Sequence, residues 1–144
     1  MKIIFACIMS VLLIPHQGWL TDFEKAKTEA SEKHKYILLN FSGSDWCIPC
    51  INFKKTIFEK DSFKQFADSI LVLLNADFPR NNQQDKQQVE HNESLAEKYN
   101  PGGKFPFTVL LDTKGNILKT WDGLPATGAD GFIAQIKTIT NAGK

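Results

Sequence analysis

The pentapeptide Trp46-Cys47-Ile48-Pro49-Cys50 constrains this chain more than any other stretch. Two thiols separated by two residues can close a small disulfide, reopen it, and pass the oxidation to the cysteines of another protein. The apolar run Tyr36-Ile37-Leu38-Leu39-Asn40-Phe41 precedes the pair and reads as a buried strand, and Ile51 to Phe58 behind it has helical apolar spacing. Strand, turn and helix together place the first sulfur at a helix N-terminus, where unpaired N–H groups and the helix dipole favour thiolate over thiol.

Three cysteines are present, and Cys7 falls in an N-terminal segment that reads as removable, leaving Cys47 and Cys50. An exported domain stapled by disulfides spreads several of them over long loops, whereas this pair closes one tiny loop with little entropic leverage. A lone Cys-x-x-Cys is half of a zinc site, and His16, His34 and His91 show no ligand spacing, so redox chemistry is expected and no metal site. Nothing calls for a cofactor. With 42% apolar and 23% charged residues and a net charge of +1, the composition is that of an ordinary globular protein. It carries no basic excess that would mark a nucleic-acid or membrane-surface footprint, which leaves proteins or small thiols as the expected partners.

Residues 1–18 have the shape of a signal peptide: Met1-Lys2, an apolar core from Ile3 to Ile14, then Pro15. The core is shorter than the roughly 20 residues of a membrane span, so a cleaved leader is expected, with no stable membrane insertion afterwards. His16-Gln17-Gly18 lacks a small-x-small pattern and fixes no cut site. The expected location is outside the cytoplasm, in the periplasm, and residues 19–144 are expected to form one domain.

Within that span the pattern predicts a helix from Trp19 to Ala30 with Thr21 and Glu24 as a capping box. It then predicts the Tyr36 strand, the helix after the cysteines, and a further helical turn or two over 61–66. A second strand is expected over Ile70–Asp77 and a helix through Val89, Leu95, Ala96 and Tyr99. Phe105 to Leu111 reads as a strand opening at a proline. Asp112 to Asn116 reads as a tight turn into Ile117–Trp121, and Phe132, Ile133, Ile136 and Ile139 form the stripe of a closing helix. Strands separated by helices imply parallel pairing and the last two a hairpin, hence a mixed sheet with helices on both faces. His34 and His91 are read as surface residues, and Trp121 and the phenylalanines as core.

From about Trp19 onward the chain resembles the thioredoxin-fold family, in particular its exported bacterial thiol–disulfide oxidoreductases. The resemblance rests on the strand, Trp46-Cys47-Ile48-Pro49-Cys50 and helix, and on Lys104-Phe105-Pro106 opening a later strand. It implies an α/β fold, a thioredoxin-like three-layer α/β/α sandwich with a mixed central sheet and an extra N-terminal helix. It also implies a cis bond before Pro106, packed against the active-site disulfide. Cys47, partly exposed, would attack a protein disulfide and Cys50 would resolve the intermediate. Pro49 would shape the loop, Trp46 would shield one side, and the backbone of Phe105 would pair with substrate as an added strand.

Two departures from the family pattern stand out. The buried aspartate common beneath the second cysteine corresponds to Asn40, with one extra residue in the turn before Trp46, and its usual lysine partner falls at Leu73. Asparagine cannot accept a proton, so slower deprotonation of Cys50 is expected unless water or another carboxylate serves; Asp45 is one substitute. Phe107 stands after Pro106 where threonine is frequent. Ile48-Pro49 puts neither histidine nor charge between the sulfurs, which leans toward a reductase and implies a membrane thiol-transfer electron donor. The rival reading is a non-catalytic binding or chaperone-like module whose disulfide stays closed.

Overall fold

The computed structural model describes residues 18–141. Residues up to 17, with Cys7, where a signal peptide is expected, lie outside the described residues. Four strands, β1 (Tyr36–Ser42), β2 (Leu71–Asp77), β3 (Phe107–Leu111) and β4 (Ile117–Asp122), form one sheet in the order β2-β1-β3-β4. Five helices accompany it: α1 (Phe23–Lys33), α2 (Ile48–Phe53), α3 (Asp61–Ile70), α4 (Lys86–Tyr99) and α5 (Gly128–Asn141). A π-helical turn, Lys54–Phe58, continues α2.

Side-chain alternation along β1 divides the core. Ile37, Leu39 and Phe41 join Phe23, Ala26 and Ala30 of α1 and Leu95 and Tyr99 of α4 on one face. Leu38 faces the other way, with Phe53, Ile57, Phe63 of α3 and Phe132 of α5. Both faces are thus covered, which is why β1 and β2 read as nearly unbroken apolar runs. This is the expected three-layer sandwich.

Several local expectations are corrected. Leu20 is extended rather than helical: its N–H donates to Leu73 O at 2.8 Å and its C=O accepts from Asn75 N–H at 2.9 Å, so it runs beside β2. That pairing draws the chain out through Thr21 and moves the cap to Asp22, whose carboxylate accepts the Lys25 N–H at 2.9 Å. Helix α3 runs to Ile70, past the turn or two expected over 61–66, and takes in the first residue of the predicted strand. Strand β3 begins at Phe107, after the proline. It also lies antiparallel to β1, although a helix separates it from β2. Among the four strands β1 and β2 alone pair in parallel, and β3 enters on the far side of β1 from β2 with its direction reversed. His91 is half-buried, not a surface residue: its Nε2 accepts the Phe23 N–H at 3.2 Å, satisfying one of the free donors at the start of α1.

The π turn has a visible signature. The Glu59 N–H donates to Lys54 O at 2.9 Å, five residues back, and the rings of Phe53 and Phe58 stack with centroids 4.3 Å apart. Residues five apart share a face only when the helix widens in this way.

Candidate functional site

Antiparallel register sets the C-terminal end of β1 beside the start of β3: Phe41 pairs with Phe107. Parallel register sets the end of β2 at the same edge, with Ser42 opposite Asp77. The cysteine turn leaves β1 here and the Phe105-Pro106 segment enters β3 here, so residues 60 apart in sequence meet at one end of the sheet.

The turn is tight. Both the Trp46 and Cys47 N–H groups donate to Gly43 O, at 3.3 and 2.9 Å. Cys47 is the N-cap of α2, with extended backbone, and its Sγ accepts the Cys50 N–H at 3.2 Å. A sulfur in that position receives the positive end of the helix backbone, the environment that lowers a thiol's proton affinity. Pro49 occupies the first turn of α2, where its missing N–H costs nothing. Cys47 and Cys50 form a disulfide with Cα atoms 5.2 Å apart. Contrary to expectation, Cys47 is not partly exposed; it is 4% and Cys50 6% accessible. Ile48, between them in sequence, stands 65% exposed.

An aromatic group flanks the turn. The Trp46 indole N–H donates to Phe78 O at 2.7 Å, and its ring meets Phe105 edge-on at 5.5 Å. Phe105 in turn meets Phe78 at 5.4 Å, and the Arg80 guanidinium lies 3.9 Å from the Trp46 ring centre. The Phe105–Pro106 peptide is cis and Pro106 is buried. Its neighbours fix the segment: Asn100 clasps Lys104 by accepting its N–H at 3.0 Å and donating to its C=O at 2.9 Å, and Gly123 N–H donates to Pro106 O at 2.9 Å.

Asp45 proves to be an anchor for this aromatic side. Its carboxylate accepts the N–H groups of Arg80, Asn81 and Asn82 at 2.9, 2.7 and 3.0 Å. The Arg80 N–H first, with those of Asn81 and Asn82, holds the Asp45 carboxyl below its usual range. A carboxylate committed to three donors on the loop after β2 is a poor base for Cys50.

On the opposite side Cys50 borders a cavity of about 310 Å³. Its apolar wall comes from Trp19, Ile51 and Phe58, its polar wall from Asn40, Ser42, Ser44 and Asn75, and Lys54 stands at its margin. Asn40 is in register with both Asn75 and Thr108, a polar row across three strands that ends in this wall. Asn40 Nδ2–H donates to Asn75 Oδ1 at 3.1 Å and Thr108 Oγ–H to Asn40 Oδ1 at 3.1 Å. Ser42 Oγ lies 3.2 Å from Asn75 Oδ1 and 3.4 Å from Asp77 Oδ1. Ser44 binds the same carboxylate through its N–H at 2.9 Å and its hydroxyl at 2.5 Å. Neutral groups therefore occupy Asn40 and Leu73, and Leu73 is buried in the core below.

Reading from sequence reached the dithiol turn, Trp46, Phe105 and Pro106, but missed Trp19, Ser42, Ser44, Lys54, Asn75, Asp77 and Arg80. For Ser42 and Asn75 a signal existed: they lie two residues from Asn40 and Leu73 along their strands and so share their face. For Trp19 and Arg80 there was none, because both reach the site from irregular segments.

Comparison with known proteins agrees with this architecture. The family model described as thioredoxin-like matches residues 18–113. The chain is 34% identical over 116 residues to the disulfide bond reductase DsbH of Chlamydia pneumoniae, covering 81% of this chain and 69% of that protein. A solved structure of a DsbH oxidoreductase superimposes with a TM-score of 0.79 at 31% identity, covering 86% and 84% of the two chains. The oxidised C-terminal domain of Neisseria meningitidis DsbD shares the fold at 19% identity, with a TM-score of 0.56 over 80% of this chain and 90% of that one. These relatives, together with a disulfide at the Cys-x-x-Cys turn, favour an enzyme over a passive binding module. The chain belongs to the thioredoxin-like family and is a thiol–disulfide oxidoreductase.

Proposed function

We propose that the protein reduces protein disulfides outside the cytoplasm, with Cys47 as the attacking sulfur and Cys50 as the resolving one. The observation that carries the assignment is the N-cap position of Cys47, whose Sγ accepts the Cys50 N–H at 3.2 Å. In the reduced protein the Cys47 thiolate attacks one sulfur of a substrate disulfide, forms a mixed disulfide and expels the first substrate thiolate. Cys50 then gives up its proton and attacks Cys47 Sγ. The Cys47–Cys50 bond forms, the second substrate thiolate leaves, and two electrons have passed to the substrate.

Support for the reductive direction comes from the uncharged Ile48-Pro49 pair between the sulfurs and from the 34% identity to a protein named a disulfide bond reductase. Trp46 and Phe105 line one flank, Pro49 sets the helix start, and the backbone of Phe105, beside the cis bond to Pro106, is free to pair with a substrate strand. The N-terminal apolar segment supports export to the periplasm, and among the described residues no helix is long and apolar enough to cross a membrane. Each turnover leaves a disulfide, so an exported reductase draws electrons from a membrane thiol-transfer donor.

Insulin reduction by the purified protein with dithiothreitol tests the chemistry. Turnover is expected from the parent and not from Cys47→Ser; equal rates would sink the reading. Equilibration in glutathione buffers tests the direction, and a potential near the roughly −120 mV of the strongest oxidants of this fold would reverse it.

A further inference from the structure

The cavity beside Cys50 has a proton problem that its own residues resolve. Resolution requires Cys50 to lose a proton in a buried position, yet none of the side chains lining the cavity is a carboxylate or an imidazole. Asn40 and Asn75 are committed to each other and to Thr108 and Ser42, and an amide does not take up a proton at neutral pH. Two lining residues, Ser42 and Ser44, place their hydroxyls against one carboxylate just behind the wall, at 3.4 and 2.5 Å. That carboxylate is Asp77, and it is partly exposed, so a proton received there can pass on to solvent.

We propose that Asp77 accepts the Cys50 proton through the Ser44 and Ser42 hydroxyls and water in the cavity. The inference rests on the reading of Cys50 as the resolving sulfur. A cavity of about 310 Å³ walled by two amides and two hydroxyls is large and polar enough to hold water. Cys50 S–H donates to that water, the water passes a proton to a serine oxygen, and the serine passes its own hydroxyl proton to Asp77. Cys50 is left as thiolate and attacks Cys47 Sγ; the second substrate thiolate departs. Asp77 later releases its proton to solvent, so the protons balance with no added reagent.

The neighbouring charged groups leave this task to Asp77. Asp45 is held by the Arg80, Asn81 and Asn82 N–H groups, and the Arg80 guanidinium lies on Trp46. On α4, His91 accepts from Phe23 N–H, while Asn92 Nδ2–H donates to the backbone C=O of Asp77 and helps hold it in place. Lys54, at the cavity margin on the π turn, is an exposed cation 3.9 Å from the Glu59 carboxylate and takes up no further proton.

The two steps can be timed separately with a peptide disulfide in stopped flow between pH 5 and 9. Mixed-disulfide formation is read in a Cys50→Ala background and release of the second thiol in the Cys50 protein. Asp77→Asn is expected to slow release at least about ten-fold at pH 7, with the deficit closing toward pH 9 as hydroxide takes over, and to leave mixed-disulfide formation within about two-fold. Ser42→Ala with Ser44→Ala is expected to reproduce this with the carboxylate intact, and it decides the matter if Asp77→Asn does not fold. Release at the parental rate and pH profile in either variant overturns the proposal, as does an equal, pH-independent slowing of both steps, which marks a structural role. Failure of the parent to form a mixed disulfide through Cys47 would instead overturn the functional reading itself.

Discussion

Asn40 and Asn75 face one another across β1 and β2, joined by an Nδ2–H to Oδ1 hydrogen bond of 3.1 Å, at strand positions two residues beyond the paired Leu38 and Leu73. The pair is neutral: Thr108 Oγ–H donates to Asn40 Oδ1, and Ser42 Oγ lies 3.2 Å from Asn75 Oδ1. Replacing Asn40 with aspartate removes the donor to Asn75 and buries a carboxyl, with the neutral Thr108 hydroxyl as its donor, in a site 6% accessible. Desolvation raises the pKa of such a group above its unfolded value of about 3.9. With the folded pKa raised, stability is retained below the unfolded pKa and lost as pH rises through the folded one. Urea unfolding of Asn40→Asp is therefore expected to match the parent near pH 4 and fall about 1–3 kcal/mol below it at pH 8. A deficit independent of pH would contradict this account.

Gly43 meets the Trp46 ring. A Cβ built there would lie 2.3 Å from the indole, inside any tolerable contact. Gly43→Ala is expected to push Trp46 off Phe78 O, with a stability cost of about 1–3 kcal/mol and a red-shifted tryptophan emission. Unchanged emission and an unchanged melting curve would show that the ring does not need this glycine.

The loop after β2 depends on an ionised Asp45. Its carboxyl is held below the usual range by the Arg80 N–H first, then by Asn81 and Asn82. Depression of the folded pKa means that the anchor is complete above the unfolded pKa and is released as pH falls through the folded one. Amide proton shifts of residues 80–82 are expected to titrate together with a midpoint below the ordinary aspartate value of about 3.9, and that transition should vanish in Asp45→Asn. Independent midpoints for the three amides would sink the shared-anchor account.

Strand content was readable because β1, β2 and β3 are short apolar runs bounded by turn residues, and the dithiol turn because its spacing has few rival meanings. The direction of β3 was not, since a crossover helix permits either side of β1 and hydrophobic pattern carries no polarity. Trp19 was placed on the first helix because its apolar spacing continues that of Phe23; only the pairing of Leu20 with β2 shows why the helix cannot start there. Asp45 and Asp77 were indistinguishable as letters. What separates them is which donors surround each, three loop amides for one and two cavity serines for the other, and that is settled by tertiary contacts.

The π turn after α2 carries a consequence of phase. An α-helix advances each residue by about 100°, so one residue added to a regular helix swings every later side chain by that amount unless a turn widens to take it up. In its present phase Phe58 stacks on Phe53, meets Trp19 at 4.8 Å and closes the far side of the cavity. Deleting one residue of Lys54–Phe58 would leave the two rings four apart, the spacing at which a regular helix already shares a face, so the widened turn takes up one residue while keeping Phe58 on the chamber side. The π turn thus lets the chain carry one extra residue on its way to the chamber wall without turning that wall's ring away.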